Sequence, residues 1–162
     1  MGRFMESPKV RHLNALKQIV RYIKGTTDYK LVYRRGGDGK LLEYSDSSHG
    51  VDIIDRKGTT GIVFYFSGNL ISWNSSKQKT VALSSCEAEF MAATTVACQA
   101  LWLQSLLAEL TRQKAEYGSI CVEHVSGEEQ QADTLTKALP RIKFIEMRNM
   151  IGITDLGIKS QN

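Results

Sequence analysis

A chain of 162 residues with 42% hydrophobic residues is long enough for one domain with a real core and short for two. Charged residues make up 23%, and 13 Gly with 2 Pro leave no collagenous or low-complexity stretch, so long disorder is not the default. Lys and Arg number 21 against 17 Asp and Glu, a formal charge of +4 that permits a polyanionic partner without demanding one.

In chain order, Met1 to Arg11 carries no apolar signal core, and no apolar run reaches the roughly 20 residues that span a bilayer. The expectation is an intracellular protein, cytoplasmic or nuclear, with no membrane partner. From Lys9 to Lys24, Val10, Leu13, Leu16, Val20 and Ile23 recur at spacings of three and four, which predicts an amphipathic helix stopped by Gly25. Its polar face is basic, with Arg11, Lys17, Arg21 and Lys24 as candidate nucleic-acid contacts. Lys30–Arg34 and Lys40–Asp46 read as strands, joined in a hairpin through the turn cluster Gly36, Gly37, Asp38 and Gly39.

The β signal is densest from Thr59 to Leu83, where Gly61–Phe66, Leu70–Asn74 and Thr80–Leu83 predict a three-strand antiparallel meander. At Ser84 and Ser85 the composition turns helical, with Glu87 and Glu89 in the first turn and an Ala- and Leu-rich run to about Leu110. Ser119–Val125 then reads as a strand, Gly127 to about Leu139 as a helix stopped by Pro140, and Phe144, Met147, Met150 and Ile151 as a last helical stripe. Cys86, Cys98 and Cys121 lie far apart with no close Cys or His partner, and are expected to be plain buried thiols. Trp73, Trp102, Phe64, Tyr65 and Phe66 are expected in the core rather than as a base-stacking platform.

Carboxylates are the one constellation that carries chemistry. His12, His49 and His124 are scattered, in no Ser/His/Asp pattern, and no phosphate-cradling glycine loop is present. Asp46 ends a strand; taken alone, such an Asp is a turn residue more often than a catalytic one. Asp52 and Asp55 read as loop acids, and His124 as a paired or edge residue.

The motifs Tyr44-Ser-Asp46, Asp55–Gly61, Ile71–Ser85 and Glu87-Ala-Glu-Phe-Met-Ala-Ala93, followed by Glu128–Pro140, resemble the ribonuclease H domain of Ty1/Copia-type LTR retrotransposon Pol polyproteins. Upstream, Arg3–Pro8 with Ile23–Thr26 resembles the segment that joins reverse transcriptase to that domain. The resemblance implies an α/β ribonuclease H-like fold, a mixed sheet with a three-strand antiparallel meander and packed helices. It divides the chain into a connection segment at 1–36, a ribonuclease H-like domain at 37–140 and a C-terminal helix and tail at 141–162. The implied chemistry is hydrolysis of the RNA strand of an RNA–DNA hybrid, with acids from several elements holding two Mg²⁺ (or Mn²⁺) roughly 4 Å apart. The implied ligands are Asp46 and Asp133, with a third acid from the long helix. Glu87 and Glu89 stand about 200° apart around a helix, so only one faces the sheet. Glu89 is preferred, because it shares its face with Ala92, Ala93, Val96 and Ala100, which leaves Glu87 as a capping carboxylate.

One part of the family pattern is missing. No Asp lies between Asp55 and Asp133, and the interval from Leu110 to Ser119 is far too short for a strand and crossover helix of about 30 residues. The chain reads as internally deleted near 111–118, short of one catalytic Asp, its strand and a helix. Strand 119–125 would then pair in parallel with strand 40–46 or lose its place. Three functions stay open: a weakened ribonuclease H-type endonuclease, a non-catalytic nucleic-acid-binding module working through the basic helix, and an unselected relic. A sheet edge left bare by the lost strand also points to a homodimer.

Overall fold

The computed structural model describes residues 7–50, 55–111 and 121–157. The chain forms two compact units, Met1–Leu31 with Ile153–Asn162, and Val32–Gly152.

In the first unit the apolar periodicity becomes α1 (Val10–Lys24). The imidazole of His12 accepts the Lys9 N–H at 3.2 Å, and the Gly25 N–H closes the last turn on the Arg21 carbonyl at 2.9 Å. No residue of α1 is buried, and its apolar stripe is exposed, from 46% at Leu16 to 75% at Val10. β1 (Tyr29–Leu31) pairs antiparallel with β5 (Ile153–Asp155), Tyr29 opposite Asp155 and Leu31 opposite Ile153. The expected hairpin between 30–34 and 40–46 does not form. Its glycines do other work: Gly37 lies so close to Ser67 that an added Cβ would stand 2.3 Å from the Ser67 Cβ. Asn69 holds the Arg34 backbone in both directions, accepting its N–H at 2.7 Å and donating to its carbonyl at 3.1 Å. The glycine-rich segment is thus a loop laid on a neighbouring turn.

The second unit is built on a sheet of β2 (Leu41–Ser48), β3 (Thr59–Phe66) and β4 (Asn69–Lys77), in that order and antiparallel throughout. Ser67 and Gly68 join β3 to β4 with φ of 50° and 72°, the left-handed pair that a two-residue hairpin turn requires. The meander is therefore β2–β3–β4. Thr80–Leu83 is not its third strand, because Gln78 leaves the sheet. The Gln78 side chain is buried and donates to the Thr60 hydroxyl at 3.2 Å and to the Ala88 carbonyl at 3.0 Å, leading the chain across to the next helix. Leu83 ends up 90% exposed.

That helix is α2 (Ser85–Thr111). Ala88, Ala92, Val96, Ala100 and Leu103 are buried at steps of four and three, and the last three close a core with Ile62 and Phe64 of β3. Small residues at the start of this stripe let the helix lie close to the strands. Among the described residues only α2 has the length and composition to cross a membrane, and in this structure its buried stripe is the core of the sheet.

Several expectations fail, most of them beyond α2. Cys121–Val125 is irregular rather than a strand, with Val122 81% exposed, so among the described residues every strand pairing is antiparallel and the sheet is not mixed. The deletion expected near 111–118 falls, from residue 112 onward, outside the described residues. The helix expected from 127 to 139 shrinks to α3 (Asp133–Thr136), because Gln130 and Gln131 spend their side chains on the sheet. α4 (Arg141–Met150) begins after Pro140 and buries Met147. All three cysteines are free and exposed rather than buried. Trp73 of β4 and Trp102 of α2 stand 57% and 60% exposed while Phe64 and Tyr65 are in the core; Trp102 lies off the α2 stripe that meets the sheet.

Candidate carboxylate site

Asp46 lies near the end of β2, directly opposite Gly61 of β3, which in turn faces Ser75 of β4. Gly61 decides what sits above them. A Cβ there would stand 2.8 Å from Thr136 Cγ2 and 2.9 Å from both the Ala132 carbonyl and Leu135 Cβ, so α3 lies directly on the strand where a side chain is missing. Around that contact the hydrogen bonds are polar and specific. Ser75 donates to the Leu135 carbonyl at 2.6 Å, Gln130 donates to the Ser45 carbonyl at 2.9 Å, and the Tyr65 hydroxyl donates to Gln131.

The docking of α3 brings Asp133 to Asp46 across 87 positions of sequence. Both residues are buried, 8% and 6% exposed as a whole. Lys137 binds both of them, its ammonium 2.9 Å from Asp133 Oδ1 and 3.7 Å from Asp46 Oδ2. The Thr136 hydroxyl donates to the same Asp46 oxygen. Burial pushes the Asp46 carboxyl above its ordinary value; Thr136, Lys137 and the Ser47 amide pull it back, and the charge of Asp133 adds to the rise. Partial burial pulls Lys137 down, but the hydrogen bond to Asp133 and the charges of Asp46 and Asp133 outweigh it and hold its ammonium above the usual lysine value.

The two candidate helix acids separate cleanly. Glu87 accepts the Leu83 N–H at 2.6 Å while its own N–H bonds the Ser84 hydroxyl at 3.1 Å, so it caps the start of α2. Glu89 reaches the sheet, where Oε1 accepts the N–H of Ser47, next to Asp46, at 3.3 Å. Asp55 is drawn off to Lys77 at 2.7 Å, and His124 is exposed on the irregular segment. Asp52 lies outside the described residues. Arg11, Lys17, Arg21 and Lys24 are all exposed on α1, in the first unit.

Among the described residues no three His, Cys, Asp or Glu side chains cluster to hold a metal. An ammonium lies within 4 Å of both buried carboxylates, and Glu89 is engaged by an amide. As folded, the acids do not fit a two-metal centre. Thr136, Lys137, Gln130 and Gly61 belong to the site and were not assigned to it from sequence. Thr136 and Lys137 carried a signal, since they follow Asp133 by three and four residues, where side chains meet on a helical turn.

Comparison with known proteins decides the ancestry. The chain is 35% identical to the retrovirus-related Pol polyprotein from transposon TNT 1-94 of Nicotiana tabacum over 94% of its length, and 32% identical to that from transposon RE1 of Arabidopsis thaliana over 95%. It belongs to the Copia-type Pol polyprotein family. The chain spans only 14% and 13% of these Pol relatives. The match to TNT 1-94 runs over 191 positions, so at least 29 of them have no counterpart in a chain of 162 residues. Secreted RxLR effector protein 161 of Plasmopara viticola is 41% identical over 103 positions, 64% of this chain and 72% of its own length, a stretch that needs no such gap. No family model matches the chain, and no solved structure matches it.

Proposed function

We propose that this retrotransposon-derived chain is a ribonuclease H-like module whose ancestral activity, hydrolysis of the RNA strand of RNA–DNA hybrids, is impaired or lost. The observation that carries the reading is the meeting of Asp46 and Asp133 on one end of the sheet, with Glu89 bonded to the residue beside Asp46. These are the three positions that the family motifs mark as acids for Mg²⁺ or Mn²⁺. Impairment follows from two further facts. The Pol relatives carry at least 29 aligned positions that this chain lacks, which supports the loss of a strand and its acid, and the acids that remain are held by an ammonium and an amide. Much of the rate of such hydrolysis comes from charge placed at the scissile phosphate, so an incomplete set of acids costs activity out of proportion to its number.

The test is cleavage of a labelled RNA–DNA hybrid by the purified chain in Mg²⁺ and in Mn²⁺, beside Asp46→Asn. The expected result is no turnover above that of the variant. Turnover that the substitution abolishes would overturn the impairment and establish the nuclease.

A further inference from the structure

We propose that Lys137 is the resident counter-ion of the Asp46–Asp133 pair, and that a divalent cation reaches these carboxylates only by displacing it. The inference rests on the site being the family's acidic site, but it concerns what fills that site in the folded chain.

Two buried acids, their side chains 12% and 8% exposed and close enough that the charge of Asp133 makes Asp46 harder to ionise, call for a cation near both. Lys137 supplies it at 2.9 and 3.7 Å. Its place follows from the fold. The backbone of Lys137 is extended at the end of α3, with its N–H on the Asp133 carbonyl at 3.2 Å, and the four-residue turn returns the side chain over Asp133. Gly61 sets α3 down at the height that brings this ammonium to β2 as well.

The side chain of Lys137 is nevertheless 50% exposed, against 12% for Asp46 and 8% for Asp133. Half of that side chain meets solvent while its ammonium is on the acids, so it can leave without the sheet opening. A Mg²⁺ or Mn²⁺ ion needs oxygens at about 2.1 Å, and the ammonium hydrogens stand in that place. Ammonium and divalent ion therefore compete for Asp133 Oδ1 and Asp46 Oδ2. Thr136 bonds the same Asp46 oxygen that Lys137 approaches and so orients that carboxylate by a contact separate from the ammonium.

The experiment is Mn²⁺ titration of the full chain, read by paramagnetic broadening of the Asp46, Ser47 and Asp133 amide signals, beside Lys137→Met and Lys137→Arg. In Lys137→Met these signals should broaden at a Mn²⁺ concentration at least tenfold lower than in the native chain, while Lys137→Arg, which keeps the charge, should stay near native. Equal sensitivity in all three would overturn the proposal.

A second readout uses the native chain alone and does not depend on a variant folding. Reductive methylation of Lys137, followed by mass spectrometry, should quicken in step with the Mn²⁺-induced broadening. Broadening at Asp46 with unchanged Lys137 reactivity would overturn displacement. Neither readout involves hybrid cleavage, so a failure here is separate from a failure of the nuclease reading.

Discussion

The two faces of the β2–β3–β4 sheet are held by different physics. On one, α2 lays Val96, Ala100 and Leu103 on Ile62 and Phe64, a contact made by apolar area and close packing. On the other, α3 is four residues long and, with the two glutamines before it, is held by a bare glycine, four backbone-directed or side-chain hydrogen bonds and one shared ammonium. The first contact is broad and non-directional, so it tolerates small errors of placement. The second is directional throughout, and it is the one that assembles the carboxylates. The apolar core and the Asp46–Asp133 pair thus lie on opposite sides of one sheet.

The largest effect is expected on the apolar face. Phe64 has no exposed surface, and truncating such a side chain removes burial and leaves a cavity. Phe64→Ala should cost about 3–5 kcal/mol in urea denaturation, a large share of the stability of a domain this size. A cost under about 1 kcal/mol would mean that α2 does not depend on this core.

Next comes the polar face. A methyl at Gly61 would press on Thr136, Leu135 and the Ala132 carbonyl at 2.8 to 2.9 Å, and the carbonyl is backbone that cannot turn aside. Gly61→Ala should cost about 1–3 kcal/mol by overpacking, and the damage should be local. Amide exchange at Leu135 and Lys137, whose N–H groups close the α3 turn on Ala132 and Asp133, should quicken, while Ile62 and Phe64 stay protected. Equal acceleration on both faces would show that the two contacts form one cooperative unit.

The same contrast explains what the sequence disclosed. The α2 stripe repeats every three or four residues and the strands of the meander are rich in apolar, β-branched and aromatic residues, so local pattern carried both. The motifs named Asp46, Glu89 and Asp133, and the helix geometry allowed only one of Glu87 and Glu89 to face the sheet. What stayed hidden depends on partners far along the chain. Tyr29–Leu31 pairs with Ile153–Asp155, two segments of three residues too short to hold a period. Gln130 and Gln131 reach the sheet and cut the expected helix to one turn, a tertiary demand overriding local propensity. Trp73 and Trp102 read as core residues by type alone, and size says nothing of which side of a strand or helix is covered.

The smallest effect, and the sharpest for the polar face, is in the pH dependence. Burial raises the Asp46 carboxyl above its ordinary 3.8, so the folded chain holds that proton more tightly than the unfolded one. Stability from this group is greatest below the ordinary value and falls as pH rises through the raised one. Lys137 is raised above 10.5, and its contribution is fully present below that value and is lost as pH climbs past the raised one. Asp46→Asn, with denaturation midpoints followed across pH, should remove the acid-side fall and leave most of the alkaline loss, because Lys137 keeps its 2.9 Å bond to Asp133. The variant should therefore gain on the native chain between about pH 4 and neutrality, as a buried charge is exchanged for a neutral group of the same shape. If the native chain instead gains stability over that range relative to Asp46→Asn, then Lys137 and Thr136 more than repay the burial of this carboxylate, and α3 is held by charge more firmly than its exposure implies.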